Sequence, residues 1–119
     1  MALFKKKEKK NHNYLEMTPK VNYGYEINEK GLIDVLVPKF TDKFLSKFLM
    51  PRIRNPHIKA NLDEIGTATW LLIDGNNKVD FIIERLNEKF GDKLEPSIER
   101  VLTFLSHLYR NGFITFLEL

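Results

Sequence analysis

The chain contains no cysteine among its 119 residues. Disulfides, thiolate metal sites, iron–sulfur clusters and cysteine nucleophiles are excluded with it, and the absence fits a reducing compartment. There is no apolar run long enough for a membrane span or a signal-peptide core, because Met1-Ala2-Leu3-Phe4 passes straight into Lys5, Lys6, Lys7, Glu8, Lys9 and Lys10. A soluble, unexported, cytoplasmic chain is expected, with no membrane partner. Histidine is scarce: His12, His57 and His107 stand far apart with no ligand spacing, so neither a metal nor a cofactor is expected. The Gly-rich phosphate loop, His-Glu-x-x-His and Gly-x-Ser-x-Gly are all missing. The adjacent carboxylates Asp63-Glu64 are explained by capping of a helix start rather than by acid–base work. The chain reads as a non-enzyme.

What is present is one domain's worth of apolar residues, 43% of the sequence, and a positive charge that is unevenly placed. Residues 1–10 hold five lysines and one glutamate, a local charge of +4 within a total of +3, so everything from Asn11 onward sums to about −1. The basic character belongs to residues 1–16, which read as a solvated, disordered tail too poor in apolar surface to order itself. A single domain is expected over 17–119.

Val21 to Val37 reads as a hairpin. Val21, Tyr23, Tyr25 and Ile27 alternate onto one face, Asn28-Glu29-Lys30-Gly31 makes the turn, and Leu32 to Val37 returns as an apolar strand ended by Pro38. In Lys39 to Met50, Phe40, Phe44 and Phe48 recur at helical spacing opposite Lys39, Lys43 and Lys47. That pattern predicts an amphipathic basic helix, which with its connector makes 39–54 an insertion. Its Phe/Leu face could pack on the domain or serve as a docking or membrane-surface helix, suited to an acidic groove or a lipid headgroup layer. Ile58 to Leu62 is a third strand-like run.

Three helices follow. Asp63 caps the first, over Glu64 to Ile73, with Ile65, Ala68, Thr69 and Leu72 inward and Trp70 on the flank. Asn77 and Asp80 resemble a capping box for the second, whose apolar positions are Val79, Ile82, Ile83, Leu86 and Phe90, with Gly91 ending it. Pro96 opens the third, whose apolar face is Ile98, Val101, Leu102, Leu105, Leu108 and Tyr109, with Gly112 closing it. Phe113 to Leu117 is a β-prone end that can cover the core or pair with a sheet edge. The fold class expected is α+β, a winged helix-turn-helix. It comprises a small three-stranded antiparallel sheet followed by a three-helix bundle, with the extra amphipathic helix between strands two and three.

The string Leu62-Asp63-Glu64-Ile65-Gly66-Thr67-Ala68-Thr69-Trp70-Leu71-Leu72-Ile73-Asp74-Gly75 resembles the PqqD family, named for pyrroloquinoline quinone synthesis protein D. Val79 to Ile83, Phe90-Gly91 and the Val101 to Phe113 segment ending in Asn-Gly carry the likeness further. The resemblance covers Ile58 to Ile114 closely and the hairpin loosely. It implies a recognition element for ribosomally made precursor peptides, one that presents their leader segment to a modifying enzyme such as a radical-SAM maturase. It further implies that the peptide adds as a strand to the third strand, here Ile58, Lys59, Ala60, Asn61 and Leu62, with the N–H of Ala60 taken as an edge donor. Strand addition works through main-chain groups and needs no particular side chains on the receiving edge.

The groove side of the third helix follows from a helical wheel. If Ile98, Val101, Leu102, Leu105 and Tyr109 face the core, Phe104 falls roughly 100° off that axis, in line with Ser97, Arg100 and Leu108. These four complete the candidate peptide-binding set. A phenylalanine beside an arginine suits an apolar anchor plus an acidic residue of the peptide, whereas a Phe104 covered by the hairpin would be ordinary packing.

Two other classes compete. A winged-helix DNA-binding regulator would want cations along the third helix, but Glu95 to Tyr109 offers Arg100 as its one fixed positive charge, against Glu95 and Glu99. Nucleic acid is therefore not expected. An assembly module would use the phenylalanine helix and an open strand edge to form a homodimer.

Overall fold

The computed structural model describes residues 13–39 and 57–119. The amphipathic helix expected within Lys39 to Met50, its connector to Arg54 and the lysine run all lie outside the described residues, apart from Lys39 itself.

Helix α1 spans Glu64–Leu72, and its start is set by Asp63, whose carboxylate accepts from the Gly66 N–H at 2.7 Å. Its buried side carries Gly66, Thr67, Thr69 and Trp70. Trp70, expected on the flank, is only 2% exposed and is among the largest core side chains. Helix α2, Val79–Phe90, buries Val79, Ile82, Ile83 and Leu86 as its spacing predicts. The capping box does not form: the N-cap is Lys78, with no side-chain bond. Asn77 instead donates its side-chain N–H to the Leu72 carbonyl, and the Asp74 carboxylate accepts from the N–H groups of Asn76 and Asn77. Those two backbone donors hold the Asp74 carboxyl below its ordinary value.

A 3₁₀ turn at Gly91–Leu94 leads to helix α3, Ser97–Arg110. Helix α3 ends in a Schellman motif, with Phe113 N–H to Leu108 O, Gly112 N–H to Tyr109 O, and Gly112 at φ +78°.

The hairpin is built differently from its alternation. The expected first strand is broken at 22–24 into β1, Pro19–Val21, and β2, Tyr25–Ile27, which join different sheets. Strands β2, β3 (Ile33–Pro38) and β4 (His57–Asn61) form an antiparallel sheet in the order β2-β3-β4. The β2–β3 turn closes as expected: Asn28 Oδ1 accepts from Lys30 and Leu32, and Gly31 takes φ +78°. Strand β1 pairs instead with β5, Ile114–Phe116, in a second, two-stranded sheet. Strand β1 thus clasps β5, and the next strand, β2, starts the three-stranded sheet.

The core lies where α2, α3 and the two sheets meet, with Ile33 and Val35 of β3 and Ile114 and Phe116 of β5 fully buried beside Trp70 and Leu105. At about 1.5–3 kcal/mol for each large apolar side chain buried, this common core dominates over any single surface pair. Thr67 ties sheet to helix, its Oγ1 accepting the Ile33 N–H at 2.9 Å. Tyr14–Glu16, within the segment expected to be a tail, forms a 3₁₀ turn whose Tyr14 and Leu15 pack against the core.

Candidate functional site

Among the described residues, strand β4 is paired on one side only. Its register sets Val35 opposite Ala60 and Val37 opposite Ile58, and the Leu62 N–H donates to the Ile33 carbonyl at 2.9 Å. Antiparallel pairs alternate between bonded and non-bonded, so the main-chain groups of Ile58, Ala60 and Leu62 point into the ladder and those of Lys59 and Asn61 point away from it. Among the described residues no strand pairs with that outer edge. The N–H of Ala60 is therefore not an edge donor as expected; the open donors and acceptors belong to Lys59 and Asn61.

The same two residues are braced by side chains on the outer face of the sheet. Asn61 Nδ2 donates to Asp34 Oδ1 at 2.6 Å, Asn28 Nδ2 donates to the same oxygen at 3.0 Å, and the Lys59 ammonium pairs with Glu26. The amide of Asn61, then that of Asn28, holds the Asp34 carboxyl below its ordinary value of 3.8. The Glu26 carboxylate in turn raises Lys59 above 10.5.

The strand runs directly into a groove of about 350 Å³. Asn61, Leu62 and Asp63 form one wall, Ile65, Gly66 and Thr69 of α1 the floor, and Leu94, Arg100, Val101 and Phe104 the wall beyond. Gly66 makes room for the aromatic ring: a Cβ there would sit 3.4 Å from Phe104 Cζ and 3.0 Å from the capping oxygen of Asp63. Arg100 is exposed at the rim, and its Nη1 donates to the Lys93 carbonyl.

Of the expected peptide-binding residues, the structure brings Asn61, Leu62, Arg100 and Phe104 to this groove. Ile58, Lys59 and Ala60 lie further back along β4, and Ser97 is half-buried at the first turn of α3 outside the groove lining. Leu108 is a correction: it is 6% exposed and belongs to the core. Ile98, taken as a core position, is 51% exposed. The buried apolar residues of α3 are Val101, Leu105 and Leu108, with Ser106 buried as well, so the apolar centre is turned by about 50° from the wheel drawn with Ile98 inward. Phe104 is half-buried against Gly66 as a result. Sequence reading missed Asp63, Ile65, Gly66, Thr69, Leu94 and Val101 as groove residues. A glycine inside a helical pattern was the available signal, since such a residue usually marks a close approach.

Among the described residues no helix is long and apolar enough to cross a membrane, and no group of three or more His, Cys, Asp and Glu could hold a metal ion. Compared with known proteins, residues 57–114 match the family described as Coenzyme PQQ synthesis protein D (PqqD). No curated protein matches the chain, and no solved structure does.

Proposed function

We propose, from the match of residues 57–114 to the PqqD family, that the protein is a non-catalytic accessory of peptide modification. It binds the leader segment of a ribosomally made precursor and presents it to a modifying enzyme of the radical-SAM or a related kind. The family's description as a coenzyme synthesis protein is in keeping with an accessory part in biosynthesis. The arrangement of sheet and helices is read as a winged helix-turn-helix turned to peptide rather than DNA recognition. The observation that carries this reading is the open edge of β4, with Lys59 and Asn61 outward, leading without interruption into the groove under Phe104.

In this mode the leader pairs with Lys59 and Asn61 through its main chain, and an apolar leader side chain enters the groove over Gly66 beside Phe104. Arg100 at the rim keeps guanidinium donors beyond the one given to Lys93, and these suit an acidic leader residue. Unlike a DNA reader, the site depends on main-chain geometry more than on a field of cations.

The test is fluorescence anisotropy of a labelled leader segment, synthesised from a short precursor encoded beside this gene, titrated with the full chain. Saturable binding that is lost in Lys59→Pro and retained at high salt is expected. Undiminished binding by Lys59→Pro would rule out strand addition at β4, and a salt-sensitive shift of duplex DNA would favour the regulator.

A further inference from the structure

A second, larger groove of about 530 Å³ lies between the Tyr14–Glu16 turn, α2 and the start of α3, and it shares no residue with the groove beside β4. Its apolar floor is Leu15, Ile83 and Ile98, which accounts for an isoleucine left 51% exposed. Its rim is acidic: Asp80, Glu84 and Glu88 follow one another at i, i+4 and i+8 along α2. The basic residues of that helix, Arg85 and Lys89, line a different depression, although Arg85 reaches Glu88 at 3.1 Å across the exposed surface. Among the described residues no lysine or arginine lines the acidic groove.

We propose that this groove is a docking site for a lysine-rich extended segment, and that its occupant is residues 1–12 of this same chain. Two observations choose that occupant. The first is continuity: Leu15 is part of the floor and Met17 O accepts the Val79 N–H, so the described chain meets the Asp80 end of the acidic row within a few residues of Asn13. Twelve residues can extend to about 40 Å, far more than the row requires.

The second is pitch. Carboxylates four residues apart on a helix rise by about 6 Å, and alternate residues of an extended chain stand about 6.6 Å apart. Lys5, Lys7 and Lys9 therefore present three ammonium groups at nearly the spacing of Asp80, Glu84 and Glu88. Their methylene stems cover Leu15, Ile83 and Ile98 while the charged ends reach the rim. The local charge of +4 in residues 1–10 is thereby set against the acidic row of a body that is itself close to neutral. Attachment to the same chain keeps the segment at high effective concentration, so individually weak pairs suffice.

The experiment uses the full chain, which has no cysteine of its own. A nitroxide is attached at Ala2→Cys, and isoleucine methyl signals are read by NMR with the nitroxide oxidised and then reduced. Ile83 and Ile98 are expected to lose intensity, while Ile27 and Ile58, exposed on the three-stranded sheet, keep theirs. Combining Glu84→Lys with Glu88→Lys should cut the loss at Ile83 and Ile98 by roughly threefold or more, and so should about 1 M salt, where the screening length falls to about 3 Å. Unchanged Ile27 and Ile58 positions establish that the variant is folded. Equal loss at all four isoleucines, loss confined to the β4 side, or loss indifferent to charge reversal would overturn the proposal. A mixture of nitroxide-bearing chains with separate isotope-labelled chains must show no loss, since loss there would make a second copy the source.

Discussion

The molecule carries two small sheets that use the same backbone chemistry to opposite ends. In the two-stranded β1–β5 sheet the strands bond to each other and the pairing is reinforced beyond its ends: Asn22 N–H reaches Phe113 O, Leu117 N–H reaches Thr18 O, and the Glu118 carboxylate accepts from both the Thr18 N–H and its hydroxyl. In the β2-β3-β4 sheet the last strand is paired on one side, and its outward groups at Lys59 and Asn61 meet no strand among the described residues. The first sheet is a clasp between distant parts of the chain, and the second leaves the β4 edge open among the described residues. The difference shows that openness here is local, because β4 is braced by Asn61 and Lys59 side chains while its main chain stays available.

That contrast can be broken first at the clasp. Ile114→Ala, at a position 1% exposed, should lower stability by about 2–5 kcal/mol in urea unfolding and reduce leader binding only through loss of folded protein. Next comes the alternation along β4. Ala60→Pro removes a ladder N–H and should cost about 1–3 kcal/mol of stability. Lys59→Pro faces outward and should change stability by less than about 1 kcal/mol while weakening leader binding at least about tenfold. The reverse pattern would mean that the outward edge has been assigned to the wrong residues.

Phe104→Ala should weaken the leader complex by about 1–2 kcal/mol through lost apolar contact, read by the same anisotropy titration, with Leu108→Ala affecting folding instead. The smallest effect is electrostatic. Burial works to raise the Glu118 carboxyl, but the two hydrogen bonds from Thr18 outweigh it, so its folded value lies below 4.5. Asp34 is lowered in the open sheet by Asn61 and Asn28. A depressed carboxyl stabilises the fold above its unfolded value, and that contribution is lost as pH falls through the folded value. Stability should therefore drop below about pH 4.5, and Glu118→Gln and Asp34→Asn should each flatten part of that acid limb in pH-dependent melts.

Much of the fold was legible because its signals are local. Asp63 as a cap, the 3.6-residue spacing of α2 and the Gly112 terminus depend on neighbours along the chain, and all appear as read. The errors arose where partners are distant. Val21 to Ile27 alternates like one strand, but Val21 is claimed by Ile114 and Tyr25 by Val35, so the run divides between two sheets. Trp70 and Leu108 were misplaced for a related reason: a helix with apolar residues around much of its circumference does not reveal which arc meets the core. In the site, the strand and Phe104 were identifiable, whereas the direction of each N–H on β4 is set by the register with β3 and could not be read from β4 alone.

One pairing has a bearing on how far this chain can be altered. Pro38 stands opposite His57, so the two ends of the stretch 39–56 are held side by side by the last rung of a ladder. The closure entropy of such a stretch grows only with the logarithm of its length, by about 0.6 kcal/mol for each doubling. As far as chain closure is concerned, the top of this sheet is thus a port at which sequence can be lengthened, shortened or exchanged for a reporter without separating β3 from β4.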